Sequence, residues 1–199
     1  MKRSLMVLVV VFAVVLLGAN WGCGTYNGLV SMEEGVNSAW AQVQNVYQRR
    51  ADLVPNLVAT VQGAADFERG TLTDVINARA KATSVTIDSS VLNDPQKFSQ
   101  FQAAQGELGG ALSRLLVAVE KYPDLKANQN FLTLQSQLEG TENRIAVERR
   151  KFNEVAQGFN ARIRTVPTSF VANMAGLHHK AYFEADATAQ KAPEVKFGH

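Results

Sequence analysis

The sequence predicts an all-α fold: an elongated antiparallel bundle of three to four long helices behind an N-terminal membrane-spanning segment. Three observations carry this. Residues 4–21 are almost wholly apolar. Apolar side chains then recur at spacings of three and four over long stretches, the period of one helix face. Helix breakers are few, with 5 prolines and 14 glycines in 199 residues. The organisation expected is an anchor over 1–24, a helical domain over 25–184 and a frayed tail over 185–199.

The first segment, SLMVLVVVFAVVLLGANW, approaches the roughly 20 apolar residues that a spanning helix needs. Lys2 and Arg3 precede it, and the next basic residue is Arg49. By the positive-inside rule this puts the N-terminus in the cytoplasm and the rest outside it, with Trp21 at the outer interface. Three readings stay open: an uncleaved signal anchor, a cleaved signal peptide, or a lipoprotein signal with Cys23 as the modified residue. The anchor fits best, because no A-x-A site is present and Asn20 is ill suited three positions before Cys23. All three export the domain, so its expected place is the extracytoplasmic face of a bacterial inner membrane, with residues 4–21 in the lipid bilayer. Cys23 is the sole cysteine, which excludes an internal disulfide. Lys2 and Arg3 account for the whole net charge of +2, since no acid occurs before Glu33; the remainder balances at 18 basic and 18 acidic residues. That balance argues against nucleic acid as a partner.

Ser31-Met-Glu-Glu34 has capping-box spacing and predicts a helix start. The stripe that follows runs Val36, Trp40, Val43, Tyr47, Arg50, Val54, Leu57, Val61. Helical character extends to about Ala82, weakened at Gly63 and Gly70. An unbroken helix over 31–82 would measure about 75–80 Å; a split near the glycines makes four long helices. Residues 83–94 read as a loop, and Asp94-Pro95 as an N-cap followed by proline at N1. Phe98, Phe101, Leu108, Leu112, Leu115, Leu116 and Val119 form the next stripe, which ends before Tyr122-Pro123. A last long helix is expected from about Asp124 to Arg164, stopped by Pro167, with a short amphipathic helix within 168–184.

Polar residues interrupt these stripes in two places. In RRADLVPNLVATVQG, Pro55 removes a backbone donor and frees the carbonyl of Ala51, which then needs a partner. Arg50 falls on the apolar face. On the last helix Glu139, Glu142 and Glu148 lie among Leu138, Ile145 and Phe152. Arg50 is therefore expected to meet an acid, Glu142 or Glu148, across the bundle, within a polar layer of Arg49, Arg50, Asp52, Pro55, Asn56, Glu142, Asn143, Arg144 and Glu148. Such a pair fixes helix register more than it adds stability. Catalytic and cofactor signatures are missing. His178 and His179 are adjacent and cannot face one way on a helix, and no Cys/His cluster suggests a metal. GELGG at 106–110 lacks the Lys-Ser/Thr of a phosphate loop. No cofactor and no enzymatic activity are expected.

YNGLVSMEEGVNSAWAQVQNVYQRRADLVPNLVATVQG behind a membrane helix, followed in order by LEGTENRIAVERRKFNEVAQGFN and TVPTSFVANMAG…AYFE, resembles the LemA family. The likeness covers about residues 25–184. It departs at ADFERGTL, where Phe67 replaces a histidine common in the family, so any role of that histidine does not carry over. The resemblance implies an elongated helical bundle on one membrane anchor, acting as an accessory to membrane proteins, with a membrane metalloprotease among the partners to consider. The opposite orientation has been predicted for the family; Lys2 and Arg3 argue against it here. The expected function is thus a non-enzymatic binding or scaffold module of the bacterial envelope. The alternative is a ligand sensor with its site at the Pro55 kink.

Overall fold

A computed structural model describes residues 2–63, 67–85 and 88–184. The apolar run and the first bundle stripe form a single helix, α1 (Lys2–Gln62), of 61 residues; at 1.5 Å per residue it is roughly 92 Å long. The start expected at Ser31 does not occur, and Ser31 lies mid-helix. The reason is cooperativity. A capping box helps only where backbone donors are orphaned. No proline precedes Ser31, so continuing costs one residue per hydrogen bond, whereas stopping and restarting would require a new nucleus. The compositional boundary at residue 24 therefore falls inside continuous helix. From Leu5 to Leu17 the large apolar side chains are exposed, and with a mean hydropathy of 2.4 this part of α1 is long and apolar enough to cross a membrane.

Five more helices follow among the described residues: α2 (Arg69–Ser84), α3 (Pro95–Val119), α4 (Pro123–Lys126), α5 (Gln129–Arg164) and α6 (Thr168–Met174), with a 3-10 turn at Ser89–Asn93. The break between Gln62 and Arg69 makes α1, α2, α3 and α5 the four long helices. Asp94 caps α3 as expected, accepting from the amides of Gln96 and Lys97. The last long helix starts later than Asp124. Tyr122-Pro123 opens only the single turn α4, and Asn128 then caps α5 by accepting from the amides of Asn130 and Phe131. Helix in 168–184 is confined to α6. Gly176 adopts a left-handed φ of 67°, a conformation that ends helices, and residues 177–184 run on without helix. The tail expected over 185–199 lies outside the described residues.

α1 pairs antiparallel with α5 along the bundle, and α2 pairs with α3. The register follows from Gly35 beside Val155 and Gly158 beside Met32. Two apolar cores result. The one nearer the N-terminal anchor joins Leu29–Tyr47 of α1 to Phe98 and Phe101 of α3, Ile145–Ile163 of α5, Ala172 and Phe183. Trp40 is its centre, with ring centroids of Phe101 and Phe152 each at 5.4 Å and Phe183 at 6.0 Å. The distal core joins Val54–Val61 of α1 to α2, to Leu108–Val119 of α3, and to Phe131 and Leu138 of α5. Between Tyr47 and Val54, Phe101 and Leu108, and Leu138 and Ile145, a polar layer separates them.

Candidate functional site

Arg50 is the centre of that layer. It is 3% exposed although it carries a full charge. Its Nη1 donates to Glu142 Oε1 at 2.8 Å. Its Nη2 donates to the Gln105 side-chain oxygen at 2.6 Å and to the Gln105 backbone carbonyl at 2.9 Å. The guanidinium also lies 5.0 Å from the centroid of the Tyr47 ring, a cation–π contact. Arginine suits the position because a planar fork reaches two helices at once, which an ammonium does not. Gln105 in turn donates to the carbonyl of Ala82 at the end of α2, at 3.3 Å. One layer thus ties α1, α2, α3 and α5. Arg50 Nε, buried, has no acceptor among the described residues.

Gln105 is the partner that the sequence did not point to. It carries no charge and lies in a helix whose polar residues are mostly exposed, so only its place between Phe101 and Leu108 on the stripe marked it. Of the expected acids, Glu142 meets Arg50, while Glu148 pairs with Lys151 at 2.8 Å. Most other residues named for the layer lie outside it. Arg49, Asn56, Asn143 and Arg144 are exposed, and exposed Asp52 accepts from Gln48 on the same helix. These positions are offset from the stripe by one or two residues, which turns them to solvent. Pro55 is exposed within α1. The carbonyl it frees at Ala51 is satisfied by Arg79 Nε of α2 at 2.8 Å. The proline therefore serves as an attachment point between helices.

A second polar arrangement holds the C-terminal strap, residues 177–184, against the anchor-side core. Asn160 of α5 donates to the carbonyl of Lys180 at 2.9 Å and accepts from its amide at 2.8 Å. Asn153, one heptad earlier on the same face, does the same with Phe183, at 2.8 and 2.9 Å. Each side-chain amide replaces the neighbouring backbone that a strand would need. The amide of Ala181 donates to the carbonyl of Leu92 at 3.0 Å. Lys180 is buried, and its Nζ donates to Glu33 at 2.6 Å and to Asn93 at 2.8 Å. The strap so occupies, beside the anchor-side core, the place that α2 takes beside the distal one. The Asn153–Asn160 spacing of seven was the available signal for it.

Tyr47, Arg50, Gln102, Gln105, Glu142, Arg149 and Glu184 line an open cleft of about 540 Å³ between α1, α3 and α5. Burial pushes the Tyr47 phenol above its ordinary pKa of 10.0; Arg149, which hydrogen-bonds it, and Arg50 pull the other way, and Glu142 adds to the rise. Arg149 also donates to the carbonyl of Glu184 at 3.1 Å, closing the cleft against the strap. Among the described residues no three His, Cys, Asp or Glu side chains are grouped to hold a metal ion. Cys23 is exposed on α1.

The LemA family profile matches residues 39–197. The chain belongs to the LemA family. The match begins inside α1, beyond the apolar segment, and takes in the polar layer, both asparagine clamps and the strap. Protein LemA of Metamycoplasma hominis is 26% identical over 162 residues, covering 81% of this chain and 70% of that protein. Magnetosome protein MamQ of Magnetospirillum gryphiswaldense is 26% identical over 174 residues, 79% of this chain. Magnetosome protein MamQ 2 of Paramagnetospirillum magneticum is 26% identical over 175 residues, 80% of this chain. The alignments span 64% of the length of each MamQ protein. None of these names denotes a reaction. As a LemA family member the chain is a membrane-associated helical protein.

Proposed function

We propose that this LemA family member is a non-enzymatic, membrane-anchored module of the bacterial envelope that holds a membrane-protein partner at a fixed height beside the bilayer. The observation that supports this is the continuity of α1. The apolar segment and the core stripe of the bundle belong to one unbroken helix, so the anchor carries the bundle as a rigid body, with no linker to absorb motion. The Lys2-Arg3 asymmetry favours the bundle on the extracytoplasmic side of the inner membrane. The groove between α3 and α5, lined by Leu112, Leu116 and Leu138 with Ser113, Glu139 and Asn143 at its edge, offers the mixed apolar and polar surface that a helical segment of a partner requires. A membrane metalloprotease is one partner class to test. Photo-crosslinking in cells from probes at Ser113 and Asn143 should yield the same membrane-protein adduct from both positions. Failure to recover any reproducible adduct contradicts the reading.

A second reading is an envelope ligand sensor. It is favoured by the open cleft beside Arg50, whose buried Nε has no acceptor among the described residues. In this reading the site is the cleft flanking Tyr47 and Arg149, one turn or more from Pro55. A thermal-shift screen with small anionic envelope metabolites separates the two, since only a sensor gains stability that rises, logarithmically at saturation, with ligand concentration.

A further inference from the structure

α6 is amphipathic in an unusual place. Thr168 and Ala172 are buried against the bundle, while Phe170 and Met174, spaced by four on the opposite face, are 66% and 91% exposed, and Val166, in the turn just before α6, is 72% exposed. Isolated exposed apolar residues are ordinary, but three so close together in the chain, two of them on one helix face, are not isolated. Its position says what covers it. Gly35 beside Val155 and Met32 beside Gly158 set a register in which Arg164, the last residue of α5, is level with about Tyr26 of α1. Tyr26 is five residues beyond Trp21, at the edge of the apolar run, which is roughly 7.5 Å along the helix. α6 follows directly after that point and packs on α1. Trp21 and Tyr26, both 47% exposed, are the aromatic types that settle at a membrane interface. Arg162 and Arg164, exposed in the last turn of α5, precede these residues closely in the chain, and cations near a bilayer surface are drawn to anionic lipid.

From this continuity with the anchor we propose that α6 and the turn before it form an interfacial collar: Val166, Phe170 and Met174 enter the headgroup–acyl boundary of the same bilayer that α1 crosses. The inference rests on the reading of residues 4–21 as the membrane anchor. Short amphipathic faces bury their apolar side in that boundary layer and keep their polar side in water or protein. The collar gives α1 a second contact with the membrane and so fixes the tilt of the bundle as well as its height.

The test uses the full chain in phosphatidylcholine–phosphatidylglycerol vesicles, with Cys23→Ser and single cysteines carrying an environment-sensitive fluorophore. Labels go at Val166, Phe170 and Met174, at Val14 within the anchor, and at exposed Ser113 in the distal half. Lipids carry nitroxides at shallow or deep positions. The collar predicts blue-shifted emission and strong loss of fluorescence with shallow nitroxides at all three collar sites, deep quenching at Val14, and neither at Ser113. Phe170→Asp with Met174→Asp should abolish the quenching of the Val166 label while leaving Val14 unchanged. Quenching at Val14 with collar labels behaving like Ser113 overturns the collar alone. Loss of quenching at Val14 overturns the anchor reading and the collar with it. Shielding of the collar labels from aqueous iodide without quenching from lipid assigns these residues to another protein surface, a second copy included, and also overturns the collar.

Discussion

Replacing Arg50 by methionine keeps most of the stem volume and removes the charge together with three hydrogen bonds, one to Glu142 and two to Gln105. The two parts of that loss differ. Glu142 is 47% exposed, so its attraction to Arg50 is screened and worth about 0.5–1 kcal/mol. The Gln105 side chain is buried at 6% exposure, and its carbonyl oxygen would be left without its charged donor. Hydrogen bonds to charged groups contribute about 1.5–3 kcal/mol each, and relief of the arginine's own desolvation offsets part of that. Arg50→Met should therefore cost about 2–4 kcal/mol, and Glu142→Gln about 1 kcal/mol or less. The assay is urea unfolding of the full chain in a mild detergent, followed by near-ultraviolet circular dichroism from Trp40 and its ring cluster. In a double-mutant cycle Arg50 should couple more strongly to Gln105, tested with Gln105→Leu, than to Glu142. If Glu142→Gln costs as much as Arg50→Met, or Arg50→Met costs almost nothing, Gln105 is not the partner that dominates the layer. A reciprocal exchange of Arg50 and Glu142 is not an equivalent test. A carboxylate at position 50 would face the two Gln105 oxygens that now accept from Arg50, so the exchange should fail although the pair is real.

The strap should be the most sensitive part of the anchor-side half. Phe183→Ala removes a buried ring from the Trp40 cluster and should cost about 3–5 kcal/mol; Asn153→Ala should expose 177–184 to hydrogen exchange and leave α2 protected. The Tyr47 phenol is raised by burial, so the unfolded chain loses that proton first as pH climbs. Stability is fully present below about pH 10 and falls above it toward the folded pKa, and Tyr47→Phe should flatten that decline in unfolding measured between pH 8 and 11. Protease added to intact cells, with the outer membrane permeabilised if one exists, should digest residues 31–184 if the bundle is extracytoplasmic; full protection would move every partner to the cytoplasm.

The sequence carried the fold where local chemistry and periodicity agree. Asp94-Pro95 is a cap followed by a proline that fits only at a helix start, and the glycines at 63 and 70 bracket the break that separates α1 from α2. Arg50 could be read as paired because a cation on an apolar stripe has few other fates, and Glu142 interrupted the stripe opposite. The failures share one cause. Ser31-Met-Glu-Glu34 has every local mark of a helix start, but a helix already running through it leaves no donors to cap. Gln105, Asn153, Asn160 and Lys180 are polar residues whose roles exist only once distant segments meet; a place on the stripe marks Gln105 and a spacing of seven links the two asparagines, but neither names the partner. The strap is the extreme case. LHHKAYFE could form a turn of helix by composition, yet Gly176 releases it and two asparagines one heptad apart take its backbone instead.

If α1 transmits the position of the anchor to the bundle, a partner is engaged at a set height. Inserting a flexible Gly-Ser segment between Asn27 and Gly28, on the bundle side of the boundary and before Leu29 enters the core, tests it directly. With photo-probes at Ser113 and Asn143, the uninterrupted chain should give one reproducible membrane-protein adduct, and the inserted chain, still folded by near-ultraviolet circular dichroism, should lose it. An adduct of equal yield with the insertion present would contradict rigid presentation by α1.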